Sequence, residues 1–147
     1  MIEHIETQGN ELLALIIRSG TSENGIQFVT SNNSEHQVGI LQWPQGHNID
    51  AHVHNPLSRT IDSTQEVLFV RWGRVRVDLY QSDRSYECSR ILEAGDVVFL
   101  VSGGHGFEIL EDAQIIEVKQ GPYLGEHEKT KFVPQDNPNL KDSNAEH

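Results

Sequence analysis

The chain has 147 residues, room for one domain around one core, and carries 22 Asp and Glu against 11 Lys and Arg, a formal charge of -11. Such a balance disfavours nucleic acid and acidic membrane surfaces as partners; the acidity is spread along the chain and reads as solvated surface. The single cysteine, Cys88, excludes an internal disulfide and a cysteine-built zinc site, and favours a reducing compartment, so the expectation is a cytoplasmic protein.

In chain order, residues 1–10 are polar and mixed and read as a short arm, with neither the basic start nor the apolar stretch of a signal peptide. Leu12 to Ile17 is an unbroken apolar run, far too short to span a membrane; its length suits a buried strand, though periodicity alone leaves a helical turn open. Residues 18–25 (RSGTSENG) form a loop by composition. Short strands are expected at 26–30 and 38–43, the second closed by Pro44. Another is expected at Ile49 to His54, broken by Asn55-Pro56 because proline removes a backbone donor.

A loop at 57–64 precedes a run of β-formers from Glu66 to Trp72, and Gly73 is read as a tight turn. In Arg74 to Tyr80, Val75, Val77 and Leu79 alternate with polar residues, the pattern of a half-buried strand. Further strands are expected at 86–92, 97–101, 105–110 and 113–120. The sum is roughly ten short strands with no long helix, hence an all-β sandwich or barrel. The domain is placed at residues 1–125, and the polar stretch 126–147 reads as a partly ordered C-terminal tail.

The chemistry gathers in a few residues. On a strand, His52 and His54 point to the same face, and two neutral imidazoles on one face can grip a divalent metal. Glu66 and His105 add a carboxylate and a third imidazole, a set that suits Fe, Mn, Ni, Cu or Zn. Three or four protein ligands would leave positions open for water, a substrate oxygen or dioxygen. The bland alternative is a barrel whose histidines only hydrogen-bond inside it.

The same spacing resembles the cupin superfamily over about residues 38–121. Gly46 precedes His52-Val53-His54 with five residues between, and Glu66 precedes Gly73 with six. The stretch Gly95 to His105 matches the second cupin motif in outline. The chain departs from the family pattern in the eleven residues between His54 and Glu66, in Val101 where proline is common, and in the close spacing of Gly103 and His105. The longer spacer could cover the barrel mouth and bring Arg59 toward a ligand, or let Gln65 or a water replace Glu66 on the metal. The resemblance implies an antiparallel jelly-roll barrel, often dimeric, with one divalent metal on His52, His54, Glu66 and His105. More loosely, Thr64 to Val70 and Gly103 to Glu108 look like the small single-domain cupins of sugar-nucleotide and surface-polysaccharide biosynthesis, which implies a sugar-like or other small polar ligand and a homodimer.

Around this set, Leu68 and Val70 are expected to share the face of Glu66, and Phe107 and Ile109 that of His105. Arg76, Tyr80, Glu117 and Lys119 are read as outer-face residues, since charged groups are seldom buried unpaired. Trp43 and Trp72 are assigned to the core or a dimer interface, and Cys88 to a buried packing role. His4, His36, His127 and His147 are expected at the surface, and Gly103-Gly104-His105-Gly106 is read as a β-turn rather than a phosphate cradle. Three functions stay open: metal-dependent isomerase, lyase or dioxygenase chemistry; small-molecule binding with a structural or absent metal; and a pure interaction role, which predicts a narrow, empty barrel.

Overall fold

The structure is a computed structural model, and it describes residues 1–140. Among these it holds eight strands: β1 (Ile2–Glu6), β2 (Leu12–Ile17), β3 (Gly25–Phe28), β4 (Gly39–Gln42), β5 (Glu66–Tyr80), β6 (Tyr86–Glu93), β7 (Val97–Leu100) and β8 (Gly104–Lys119), followed by a 3-10 helix at Gly125–Glu128 and a 3-10 turn at 138–140. No helix of the described residues is long and apolar enough to cross a membrane.

Six strands form one antiparallel sheet in the order β1-β2-β7-β5-β6, with β8 on the other edge of β5; β3 and β4 make a separate hairpin. The sheet is curled into a half-barrel, and the fold is all-β at that level. One edge of β5 is shared: Glu66 to Phe69 pair with β7, and Arg74 to Tyr80 pair with β6. Its other edge pairs with β8 from end to end.

This β5–β8 ribbon is the frame of the molecule. Its register shifts around Trp72 and Arg74, and Gly73 sits at the shift with φ +90°. A Cβ on Gly73 would lie 2.1 Å from the Asp112 carbonyl oxygen, so only glycine fits. Gly73 therefore bends one continuous strand and does not turn between two. For the same reason the expected strands at 105–110 and 113–120 are two halves of β8.

The core lies inside the curl. Leu13, Ala14, Ile16, Val70, Val75, Val77, Leu92 and Val98 are fully buried there. The unbroken apolar run of β2 is explained by its place between β1 and β7. Arg18 ties the sheet edge together, its guanidinium meeting Glu3 and, at 2.8 Å, the buried Asp96.

Several expectations need correction. The arm at 1–10 contains β1, because Ile2 and Ile5 pair onto β2. Ile49 to His54 is not a strand; residues 43–65 run without regular pairing and are exposed up to Thr64. Of the two places expected for Trp43 and Trp72, core or dimer interface, the core is excluded, since they stand 39% and 47% exposed. Residues 129–132 line a cavity and Asn137 bonds to Tyr80 of β5; residues 141–147, with His147, lie outside the described residues.

Candidate functional site

A cavity of about 880 Å³ opens inside the curl, floored by the inward side of β5 and β8 and walled by the chain after β8. Glu66 begins β5, and alternation along the strand aims it inward with Leu68. His105 lies near the start of β8 and reaches the same space. His105 Nε2 stands 3.1 Å from Glu66 Oε2, with side chains 33% and 17% exposed. A carboxylate only accepts, so Nε2 carries the proton of this hydrogen bond. That hydrogen bond holds the Glu66 carboxyl below the usual range against the opposing effect of burial, with Lys119 and Lys129 helping.

Ladder register makes the pairing informative. Glu66 is opposite Lys119, whereas His105 is opposite Leu79. The two partners thus belong to opposite ends of the ribbon, and the curl of the sheet brings them together: Glu66 is also opposite Leu100 of β7, five residues before His105.

The structure does not bring His52 and His54 to this pair's cavity lining. They sit in the exposed segment 43–65, where their rings are 5.3 Å apart and His52 Nδ1 is 2.8 Å from the Asp50 carbonyl oxygen. Arg59 is exposed on the same segment and is not part of the wall. Gln65 does not take the place of Glu66: it is buried and its Oε1 has no partner among the described residues, while Glu66 faces the cavity. Among the described residues no group of three His, Cys, Asp or Glu is gathered to hold a metal ion.

Other assignments shift as well. Glu117 and Lys119, expected on the outer face, line the cavity because they share the inward parity of Ile115 on β8. Phe107 lines it as expected, while Ile109 is 55% exposed and Val70 is packed in the core. His36 is half-buried, its ring edge-on to Phe99 and its Nδ1 3.3 Å from Gln120 Nε2. Cys88 is half-buried against the core, and burial pushes its thiol up, in keeping with a packing role.

The wall that sequence reasoning missed is the C-terminal stretch. Glu128, Lys129, Thr130, Lys131 and Phe132 all line the cavity. Residues 132–140 then lie over the far end of β5 and β6. Asn137, 2% exposed, donates to the Tyr80 hydroxyl at 2.8 Å, and the Tyr86 amide donates to Asp136 at 3.1 Å. Phe132 packs edge-on to Tyr80 at 5.2 Å. Beneath them Asp78 accepts from Arg76 at 2.8 Å and from Ser89, whose oxygen also accepts from Asn139 at 2.9 Å. Burial raises the Asp78 carboxyl, but the Arg76 and Ser89 hydrogen bonds outweigh it and hold the group below its ordinary range. A second, smaller cavity of about 420 Å³ adjoins this network and shares His105, Phe107 and Phe132 with the first.

One signal could have found this wall. The chain's four lysines all fall between residues 119 and 141.

Comparison with protein-family models, with curated proteins and with solved structures finds no match.

Proposed function

We propose that the curled sheet is a jelly-roll barrel of the cupin kind and that its cavity binds a small polar molecule at the Glu66–His105 pair. The observation that carries this reading is the pair itself: an ionised carboxylate and an imidazole in hydrogen-bond contact on the wall of a cavity of about 880 Å³, a size that suits a small ligand. Leu68, Ile115 and Phe107 offer apolar surface beside it, and Glu66 offers acceptors for a hydroxyl or amide of the bound molecule. A cavity of this volume supports binding over a purely scaffolding role. Turnover would use the same pair, with Glu66 as proton acceptor and His105 orienting it.

The metal implied by the cupin resemblance fits this cavity poorly. Among the described residues only one imidazole and one carboxylate meet there, since Glu117 and Glu128 of the same wall are turned to Lys119, and two donors fall short of the three that metal sites with an open position usually draw from the protein.

The homodimer of the resemblance draws support from the outer face of the ribbon. Phe69 and Ile116 are cross-strand partners there, 37% and 46% exposed, with Val118 two residues on.

The binding reading is tested by titrating labelled protein with small polyols, sugars and organic acids while following the His105 ring by NMR. A saturable shift of His105 that is lost in Glu66→Gln is the expected result. Ligands that leave His105 unmoved, or that bind Glu66→Gln equally well, would overturn it.

A further inference from the structure

Lysine is the rarest charged residue of this acidic chain, with four copies, yet all three in the described residues line the one cavity of about 880 Å³. Lys119 comes from β8, and Lys129 and Lys131 from the segment that closes the cavity. Acidic residues share the wall, but each is already engaged. Glu66 accepts from His105 at 3.1 Å, while Glu128 and Glu117 flank the Lys119 ammonium at 3.3 and 3.7 Å. That leaves Lys129 and Lys131, which make no hydrogen bond or contact ion pair among the described residues, though Lys129 lies near enough to Glu66 and Glu128 to lower both carboxyls. The backbone at Lys129 is extended (φ -145°, ψ 148°), which sends residues two apart toward the same side. The segment is not free to carry them off: Asn137 and Asp136 fasten it to Tyr80 and Tyr86.

We infer that the cavity takes a small organic oxyanion, with its carboxylate or phosphate group held by Lys129 and Lys131 and its carbon skeleton on Leu68, Ile115 and Phe107. This rests on the binding reading above and names the class of molecule bound. On a protein of charge -11, this wall sets three ammonium groups against three carboxylates, and Lys129 and Lys131 are the two ammonium groups without a contact ion pair, the points at which an anion can be met. The Glu66–His105 pair then meets a hydroxyl or carbonyl at the other end of the same molecule.

The test is an NMR titration of the full chain at constant ionic strength, since salt screens exposed charges. The probes are inorganic phosphate, malonate and a neutral methyl glucoside, and the readout is the His105 ring with the exposed His4 of β1 as surface reference. The expected result is a saturable His105 shift with phosphate or malonate, and the stronger of the two shows whether the anion is a phosphate or a carboxylate. Affinity should fall about tenfold or more in K129Q/K131Q, a loss of about 1.4 kcal/mol or more, and recover in K129R/K131R. Anion binding unchanged in K129Q/K131Q would overturn the inference, as would a shift at His4 equal to that at His105. A shift with the glucoside alone would overturn the anion class and leave the binding reading standing. No saturable shift with any probe would overturn the inference and count against the binding reading too.

Discussion

Glu66 and His105 belong to opposite ends of one antiparallel ribbon, yet their side chains meet at 3.1 Å. His105 is paired with Leu79, thirteen residues along β5 from Glu66 (79 minus 66). A straight strand of that length would hold them about 43 Å apart at roughly 3.3 Å per residue. The contact is thus a direct product of the curl, and anything that straightens β5 dismantles the site.

Gly73→Ala is the substitution that should do so. It places a Cβ against the Asp112 carbonyl and Ala113 at a φ of +90°. A strained left-handed residue alone costs about 1–3 kcal/mol, and the backbone clash adds to it. Denaturant unfolding should show at least that loss, together with disappearance of the Glu66–His105 contact. Gly20→Ala, which meets nothing within 4 Å, should stay within about 0.5 kcal/mol of the parent.

The Asp78 network predicts acid lability. The folded Asp78 carboxyl lies below its unfolded value of about 3.9. Its contribution is therefore fully present above that pH and is lost as the pH falls through the folded value. Asp78→Ala should cost about 2–4 kcal/mol at neutral pH, toward the low side for a broken buried pair because Arg76 keeps Glu108. The variant should also show a flatter stability profile below pH 4, measured by thermal melts across a pH series.

Glu66 gives the same sign at the cavity. Its carboxyl is depressed by the His105 hydrogen bond, so its contribution holds above about pH 4.3 and fades below. Glu66→Gln should lower ligand affinity more than it lowers stability, a split that calorimetry and melting curves on the same samples will show.

The closing segment should release as a unit. Asn137→Ala removes a buried donor from the Tyr80 hydroxyl and the acceptor for the Asn139 amide, at about 1–2 kcal/mol locally. Limited proteolysis should then cut near residues 129–136 faster than in the parent, while amide exchange in β2 stays slow.

How far the sequence reaches depends on where the information is local. Leu12 to Ile17 and the alternation of Val75, Val77 and Leu79 carry their own burial pattern, and both are strands as expected. Gly73 was legible as a special position but not as a bend, because the distinction lies in Asp112 and Ala113, about forty residues on. Glu66 and His105 could be named from residue type and spacing; their contact could not, since it depends on the curl of two long strands. His52 and His54 have the parity of a strand face without the partner strand that makes such a face. Lys129 and Lys131 sit in a polar stretch that reads as tail because its anchors, Asn137 and Asp136, find their partners some fifty residues earlier.

The most direct test is a nuclear Overhauser experiment between the His105 ring protons and the Glu66 γ-protons of the full chain. The 3.1 Å contact predicts a cross-peak in the parent that is lost in Gly73→Ala. Its absence from a spectrum in which both residues are assigned would contradict the curl and the site built on it.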